Sequence, residues 1–354
     1  MRRRTMATAG AAALGLAVLP AVSAHAGLDP VPAGFRAQQV SAISASQWWV
    51  LGSVPCGAHR CNAIAHTTNG GVSFSLEKTS AHVGGTPRRA TTLRMAADGV
   101  HGWILAPGRA VGYQLWRTSN AGWTWRRVPL AQRLSVMDVG GGRVWVAGRA
   151  SGRVRAWSAS ATATSAGAFA RRLDVPTVTV EGSPALVALS AGRAEVLSFR
   201  PSDLHVRAYV VSAAGFTASN GPSWCDASLG FGQVSSSHGT TWVDCPTGTA
   251  DAYGYSPGGG VGWHAGPAVA ASASRIAVGG IDATHAAVSA QGSGKLRRVS
   301  TSGHVAVAHV PSLPAGTTFG FIGYTSPSVG FAVTDSGKLL VSKDGGLHYA
   351  LVTV

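Results

Sequence analysis

Short apolar runs alternate with turn-forming residues along the whole chain. Each run is four or five residues at most, is rich in Val and Trp, and is bounded by Gly, Ser, Thr or Asn. Such runs are typical of β-strands, because helices need longer periodic segments. The clearest are residues 48–52, 103–105, 144–148, 241–245 and 331–333. The pattern therefore predicts an all-β protein.

An eight-residue motif recurs between the apolar runs. Its best copies, 67–74, 118–125 and 342–349, follow the pattern Ser/Thr-x-Asp/Asn-x-Gly-x-Ser/Thr-aromatic, with His348 as the exception at the seventh place. The motif glycine marks seven positions, spaced 43 to 51 residues apart: Gly71, Gly122, Gly167, Gly215, Gly260, Gly303 and Gly346. The copy at Gly260 keeps only its first Ser, this glycine and the final Trp263. Residues 235–242 resemble the motif but fall midway between two copies, so we interpret them as a turn followed by a strand.

Each period accommodates four short strands. In the first period we expect them near 40–43, 48–52, 63–66 and 74–78, with the motif as the turn between the third and the fourth. Four strands every 40 to 50 residues are the blade of a β-propeller. We therefore predict a seven-bladed β-propeller of four-stranded antiparallel blades over residues 36–354. Blades one and seven should each be contiguous in sequence and meet face to face.

The N-terminal segment has the pattern of a signal peptide. Arg2, Arg3 and Arg4 precede a small apolar stretch over residues 7–22, and 24–26 read Ala-His-Ala, a cleavage site. The stretch is short and Ala/Gly-rich for a transmembrane anchor. We expect a signal peptide over 1–26, a short lead over 27–35, and a secreted chain without a membrane span that could associate with the cell wall. Sec and twin-arginine export both remain open.

Four cysteines in an exported chain predict two disulfide bonds. Three pairings exist, and the local one, Cys56–Cys61 with Cys225–Cys245, is favoured. Zinc binding is the alternative, but neither pair has the spacing of metal ligands.

The chain is strongly basic. Without the three signal arginines, 26 Lys and Arg stand against 14 Asp and Glu, a net charge of +12. Such a charge attracts anionic cell-wall polymers, acidic lipids or nucleic acid, although ordinary solvation is the alternative. Two basic doublets fall four and five residues after a motif glycine, which places them on the outermost strands of adjacent blades: Arg126, Arg127, Arg171 and Arg172. Charges there prevent edge-to-edge pairing of strands, and polyanion binding is the other interpretation. Both interpretations stay open for Arg88, Arg89, Lys295, Arg297 and Arg298.

The motifs resemble Asp-boxes, the bacterial neuraminidase repeats of sialidases, sortilin-type receptors, xyloglucanases and photosystem II assembly-factor-like propellers. Residues 48–56, continued by Cys61 and 67–74, are similar to the first blade of exported actinobacterial Asp-box propellers. The resemblance implies structural roles for the motif. Turn amides should donate to Asn69, Asn120 and Asp344, and glycine should supply positive φ at Gly71, Gly122, Gly260 and Gly346. The aromatic wedges should be Phe74, Trp125, Trp263 and Tyr349. A calcium site is the alternative, but it needs more carboxylates.

The catalytic residues of a sialidase are not evident in the sequence. Such an enzyme needs an arginine cluster, a Tyr nucleophile with its Glu, and an Asp acid/base, and it carries Arg-Ile-Pro near the start. Here Arg36 is followed by Ala and Gln. Of the three glutamates, Glu77 falls in the outer strand of blade one, away from the axis, and Glu181 and Glu195 have no evident Tyr partner. The densest aspartates (Asp226, Asp244 and Asp251) fit a polar loop. We therefore expect no metal, no cofactor and no specific nucleic-acid binding. Our first hypothesis is a monomeric, non-catalytic propeller that binds a protein or glycan at the cell envelope. The alternatives are a degenerate sialidase-like hydrolase or lyase and a cationic cell-wall structural protein.

Overall fold

The computed structural model describes residues 29–77, 91–108, 112–176, 184–189, 192–199, 205–225, 231–246, 251–267, 276–290 and 292–354. The predicted signal peptide lies outside the described residues. So do Arg88, Arg89, Glu181 and Asp226.

The described chain forms seven antiparallel sheets, each contiguous in sequence. Blade one contains β1 (Asp29–Pro30), β2 (Arg36–Ala42), β3 (Trp48–Cys56), β4 (His59–Thr67) and β5 (Ser75–Leu76). Blade two contains β6 (Thr92–Met95), β7 (Gly102–Pro107), β8 (Tyr113–Thr118) and β9 (Arg126–Val128). Blade three contains β10 (Val136–Gly140), β11 (Arg143–Ala150), β12 (Arg153–Ser160) and β13 (Ala170–Pro176), with a 3-10 turn at Ala166–Ala168. Blade four contains β14 (Ala185–Ala188), β15 (Ala194–Phe199), β16 (Val206–Ser212) and β17 (Gly215–Asn220). Blade five contains β18 (Val234–Ser237), β19 (Thr240–Pro246), β20 (Asp251–Ser256) and β21 (His264–Ala265). Blade six contains β22 (Ile276–Gly280), β23 (His285–Ala290), β24 (Arg297–Ser300) and β25 (Val305–Val307). Blade seven contains β26 (Phe319–Tyr324), β27 (Gly330–Thr334), β28 (Leu339–Ser342) and β29 (Ala350–Val352).

The blades close into a ring, so the prediction of a seven-bladed β-propeller is confirmed. Strands are counted outward from the axis, so the first strands of the seven blades are β2, β6, β10, β14, β18, β22 and β26. Each first strand lines the axis and contacts the first strand of the next blade, and β26 contacts β2. The apolar runs that carry tryptophan are the second strands (β3, β7, β11 and β19), one step out from the axis. Residues 235–242 form β18, its turn and the start of β19, and they belong to no extra blade.

Blade one has a fifth strand that the four-strand prediction did not include. Part of the lead segment, β1, pairs antiparallel with β5, with Asp29 opposite Leu76 and Pro30 opposite Ser75. The predicted fourth strand over 74–78 is thus a two-residue strand, covered on its outer edge by the lead.

Both faces of each blade are buried, because neighbouring blades pack face to face. This explains why the second strands are continuously apolar instead of alternating. Five tryptophans are fully buried in the seams between blades: Trp48, Trp49, Trp103, Trp145 and Trp242. Trp49 and Trp103 also donate their indole N–H groups to the next blade, to the carbonyl oxygens of Ala121 (2.7 Å) and Ala161 (2.9 Å).

In the described part of the chain, the seam between blades seven and one closes the ring without exchange of a strand. Trp48 packs edge-on against Phe331 with ring centroids 4.8 Å apart. The amide of Ala37 donates to the carbonyl of Gly337 at 3.0 Å. Thr325 donates its hydroxyl to the carbonyl of Ala42. This seam therefore depends on side-chain packing and a few hydrogen bonds.

The disulfide prediction is confirmed. Cys56–Cys61 closes the turn between β3 and β4, and Cys225–Cys245 ties the loop before β18 to the end of β19. The bonds join cysteines 5 and 20 residues apart, and such a cross-link restricts the unfolded chain.

All seven motif glycines lie at the connection between the third and fourth strands of their blades. In blade one, Thr67 Oγ1 accepts from the amide of Gly71 at 3.1 Å, and Asn69 Oδ1 accepts from the amide of Ser73 at 3.0 Å. Gly71 has a φ of 84°, which favours glycine. In blade three, Gly167 lies instead within the 3-10 turn, and Ser165 makes no side-chain cap there.

The exception at His348 has a chemical reason. In blades one and two the third motif residue is Asn, and its amide N–H donates to the hydroxyl of Ser73 (2.8 Å) or Thr124 (3.0 Å). In blade seven that residue is Asp344, which cannot donate when ionised. His348 supplies a ring nitrogen 2.6 Å from Asp344 Oδ2. Burial acts to raise the pKa of Asp344, but hydrogen bonds from His348 and Ser342 outweigh it and lower the pKa to about 2.

Asn120→Ala is expected to lower the free energy of unfolding by about 1–2 kcal/mol, because its side chain holds three hydrogen bonds in the motif turn. Thermal unfolding followed by circular dichroism would measure the loss. The matched control is Ser165→Ala in blade three, which should change the stability by less than about 0.5 kcal/mol. Equal effects of the two changes would contradict a stabilising role for the Asn120 side chain.

Candidate ligand-binding site

A cavity of about 230 Å³ lies on the propeller axis. It is lined by first-strand residues of six blades, and its polar members include Arg94, Asp138, Gln233, Ser236 and Thr325. Ligand sites often lie where structural elements converge, so these groups are the first candidates for a binding site.

Polar side chains around the axis bond to neighbouring blades. An innermost strand has no partner on its axial side, so side chains must satisfy its free backbone groups. Gln39 accepts from the amide of Leu93 and Ser41 from that of Met95, both at 2.8 Å. Asp138 accepts from the amide of Ala188 at 2.8 Å. These groups join adjacent blades.

Gln233 bridges to a more distant blade. Its amide donates to the carbonyl of Ile322 in blade seven, and its oxygen accepts from the Ile322 amide at 3.4 Å. Gly279 of the intervening blade six makes room, since a Cβ there would lie 2.7 Å from the Ile322 side chain. Contacts between blades therefore narrow the space at the propeller axis, and the same contacts hold the ring together.

An arginine, an aspartate and a tyrosine line this cavity, yet they already bind each other or other protein groups. Arg94 Nε lies 2.6 Å from Asp138 Oδ1, so the two charges neutralise each other. The hydroxyl of Tyr324 is hydrogen-bonded to that of Tyr349 at 2.5 Å. Burial first, and then Tyr349, raise the pKa of Tyr324 well above its ordinary value, which disfavours a nucleophilic phenolate.

The two described glutamates are buried between blades. Glu195 in β15 accepts from the hydroxyl of Thr241 in β19 at 2.5 Å. Burial raises the pKa of Glu195 to about 7, although the Thr241 hydrogen bond opposes the shift. Glu77 follows β5, and its carboxylate lies 3.5 Å from His66 Nδ1. Glu77 is buried, because the blade-two motif turn at Gly122 packs against its carboxylate.

Blades two and three carry most of the excess charge. Residues 91–176 contain twelve Arg, three Asp, and no Lys or Glu, a net charge of +9 out of the +12 expected for the exported chain. We call this stretch the arginine sector. Its charge is carried entirely by guanidinium groups, which bind phosphate and carboxylate through paired N–H donors.

The outermost strands of the sector hold the basic doublets. Arg126 and Arg127 lie in β9 and are exposed. Arg171 and Arg172 lie in β13, where the first is exposed and the second half-buried. The doublets thus occupy the edges of adjacent blades.

Three arginines of blade three share one carboxylate. Arg153, Arg155 and Arg171 all contact Asp174, the last two at 3.3 and 3.0 Å. The hydrogen bond from Arg153 is the largest influence on Asp174 and lowers its pKa, with Arg155 acting in the same direction. Three cations around one anion leave a surplus positive charge.

Arg143 and Arg172 form a pair of like charges at the boundary with blade four. Both donate to Ser158 Oγ, Arg143 through Nη2 at 3.0 Å and Arg172 through Nε at 3.2 Å. Arg172 Nη1 also donates to the carbonyl of Ala213 in blade four. Within the described ranges, neither forms an ion pair with a carboxylate. Burial and the Arg172 charge lower the pKa of Arg143.

The predicted basic residues of blade six are not grouped in this way. Lys295 is exposed, whereas Arg297 and Arg298 lie in β24 and are half-buried.

The aromatic residues of the motif differ in how deeply they are buried. Trp125 and Tyr349 are buried, while Trp263 is half-buried and packs edge-on against Trp224, with ring centroids 6.3 Å apart.

Arg143, Arg153 and Arg155 lie outside the motifs and the basic doublets, so the sequence pattern did not indicate them. A count of charges per repeat would have found the sector, because blades two and three lack Lys and Glu altogether. The described part of the chain contains no group of three or more His, Cys, Asp or Glu arranged to hold a metal ion. No helix among the described residues is long and apolar enough to cross a membrane.

Solved structures with similar folds are β-propellers of different kinds. The β-propeller domain of the Trilobed protease from Pyrococcus furiosus is 10% identical, with a TM-score of 0.58 over 90% of this chain and 98% of that one. A catalytically inactive virginiamycin B lyase from Staphylococcus aureus, with quinupristin, is 13% identical, with a TM-score of 0.56 over 92% and 98%. YCF48 from Cyanidioschyzon merolae is 15% identical, with a TM-score of 0.42 over 92% and 87%. No family model and no curated protein matches the chain. At these identities the likenesses establish the fold alone.

Proposed function

We propose that this protein is an exported, non-catalytic propeller of the Asp-box type that binds a ligand at the cell envelope through its arginine sector. The observation that carries the proposal is the concentration of +9 charges in two adjacent blades, in arginine alone. A charge spread for solubility would be distributed around the ring, whereas a charged sector attracts an anionic partner. The ligand is an anionic glycan or protein, and a cell-wall polymer is the leading candidate.

Two observations support export and a binding role. The N-terminal pattern of three arginines, an apolar stretch and Ala-His-Ala is that of a signal peptide, and both disulfides are typical of oxidising compartments. Polar groups at the axis, including Asp138, Gln233 and Ser41, serve contacts between blades. We assign the propeller to residues 36–354 and expect a monomer.

A sialidase-like activity is the second candidate, and one observation favours it: Arg94, Asp138 and Tyr324 line the same axial cavity. Incubation of the protein with a fluorogenic sialoside and a panel of aryl glycosides tests it. We expect no turnover. Turnover that Asp138→Asn abolishes would overturn the non-catalytic proposal.

Retention on isolated cell walls is expected to be reversed by salt, because exposed charges are screened within about 10 Å at 0.1 M ionic strength. Elution of the exported chain by a NaCl gradient measures this. Arg126→Gln with Arg127→Gln should move elution to lower salt.

The matched control changes the same number of charges in blade seven, with Lys338→Gln and Lys343→Gln, both exposed. This variant should elute close to the unaltered protein. Equal shifts would favour a general cationic wall protein, and retention insensitive to salt would contradict the proposal.

A further inference from the structure

A second cavity lies where blades three and four meet, on the face formed by the third-to-fourth strand turns. Its volume is about 600 Å³, and its lining includes Gly141, Gly142, Arg143, Gly192 and Ser212. This volume is within the range of small-molecule sites, roughly 300–1,000 Å³, and exceeds that needed for a bare ion.

Glycine keeps this cavity open. Gly141, Gly142 and Gly192 have φ values of 57°, 73° and 67°, which side chains rarely adopt. A Cβ at Gly141 would lie 2.6 Å from the amide nitrogen of Gly192. Gly141 and Gly192 therefore approach each other more closely than a side chain on Gly141 would allow.

Arg143 lines the cavity, and Arg172 shares Ser158 with it and donates to the carbonyl of Ala213, another lining residue. Two guanidinium groups carry five N–H donors each. Their hydrogen bonds to Ser158 and Ala213 use four of these donors. Two like charges that meet on a neutral hydroxyl repel each other, so a bound anion would stabilise the pair.

The charge and the donor number select the kind of anion. A carboxylate has two oxygens and one negative charge, which a single arginine fork satisfies. A phosphate monoester has three terminal oxygens and nearly two negative charges at neutral pH, which match two guanidinium groups. The size of the cavity leaves room for the sugar that carries the phosphate.

We propose that this cavity binds a phosphorylated sugar of the cell envelope, with its phosphate monoester held by Arg143 and Arg172. The inference rests on the proposed function and names its ligand class. The exposed arginines of β9 and β13 attract the anionic polymer, and Arg143 with Arg172 binds one phosphate group on it.

Calorimetric titration at low salt tests the site, with glucose 6-phosphate as the probe. We expect glucose 6-phosphate to bind at least about tenfold more tightly than glucose 6-sulfate or glucuronate, which carry one charge each. Arg143→Gln and Arg172→Gln should each weaken binding about tenfold or more, since a hydrogen bond to a charged group is lost. Lys343→Gln, which removes one exposed charge from blade seven, is the charge-matched control and should change the affinity less than about twofold.

Arg143→Lys keeps the charge without the paired donors, so it should bind with intermediate affinity and guards against a folding defect of Arg143→Gln. Binding of glucose 6-phosphate that neither glutamine variant alters would overturn the site while leaving retention on cell walls intact. Inorganic phosphate, glucuronate or a phosphoserine peptide binding as tightly as glucose 6-phosphate would overturn the sugar-phosphate assignment. No retention of the unaltered protein on cell walls would instead overturn the proposed function.

Discussion

The free energy of unfolding of the unaltered protein is expected to fall by about 3 kcal/mol between pH 5 and pH 8, and Glu195→Gln is expected to abolish this fall. Glu195 is fully buried in the seam between blades four and five, and burial raises its pKa from 4.5 to about 7. Between these two values the folded protein holds a proton that the unfolded chain has lost. The free energy of unfolding therefore declines as the pH rises through this window and levels off above pH 7.

The environment of the carboxylate supports a large effect. Glu195 Oε2 accepts from Thr241, and Oε1 has no hydrogen-bond partner among the described residues. A Cβ at Gly260 would lie 2.9 Å from Oε1, so the neighbouring motif turn is packed closely against the acid. Ionisation places a charge in this seam, whereas glutamine stays neutral at every pH.

Urea unfolding at pH 5 and pH 8 measures the difference for each variant, so a constant offset from the substitution cancels. Glu77→Gln is the matched control, because Glu77 is also buried in a seam but has His66 beside it. This control should keep the fall seen in the unaltered protein. An undiminished fall in Glu195→Gln would show that other groups cause the pH dependence.

Trp48→Ala is expected to cost about 3–5 kcal/mol and to open the ring. Trp48 is fully buried in the seam between blades seven and one, against Phe331 and the motif turn of Gly71. Among the described residues no exchanged strand crosses this seam, so side-chain packing and a few hydrogen bonds keep the first and last blades together. Limited proteolysis and small-angle X-ray scattering would detect the opened form.

Trp103→Ala is the matched control for ring opening. Trp103 is equally buried, but it lies in the seam between blades two and three, which the chain itself joins. We expect a similar loss of stability without a gain in radius of gyration below the unfolding transition. If both variants expand, or neither does, the seam between blades seven and one has no special role in closure.

The repeat made most of the fold predictable. The spacing of glycines from Gly71 to Gly346 gave the number of blades even where the surrounding motif is degenerate, because a turn between the third and fourth strands is required in every blade. Local sequence also indicated both disulfides, since each joins cysteines that are close in sequence. The added strand β1 was not predictable, because its partner β5 lies 45 residues away and the pairing covers only two residues.

The candidate sites were less predictable, because they depend on contacts between blades. Arg143 and Arg172 are 29 residues apart and meet through the hydroxyl of Ser158. Glu195 meets Thr241 only because second strands of adjacent blades face each other. A repeating motif indicates where each strand lies in its blade. It does not indicate which non-repeating side chains face each other across a seam.

The closure of the ring has a mechanical consequence. Within a blade, adjacent strands share ladders of hydrogen bonds, such as those between β27 and β28, which resist shear together. Between blades seven and one, a pulling force meets buried side chains, the Ala37–Gly337 hydrogen bond and the Thr325 hydroxyl. The ring is therefore weakest against tension at the seam between blades seven and one. Under tension applied at its two ends, β1 would peel from β5 first, and the gap would then widen at this seam while the blades stayed folded.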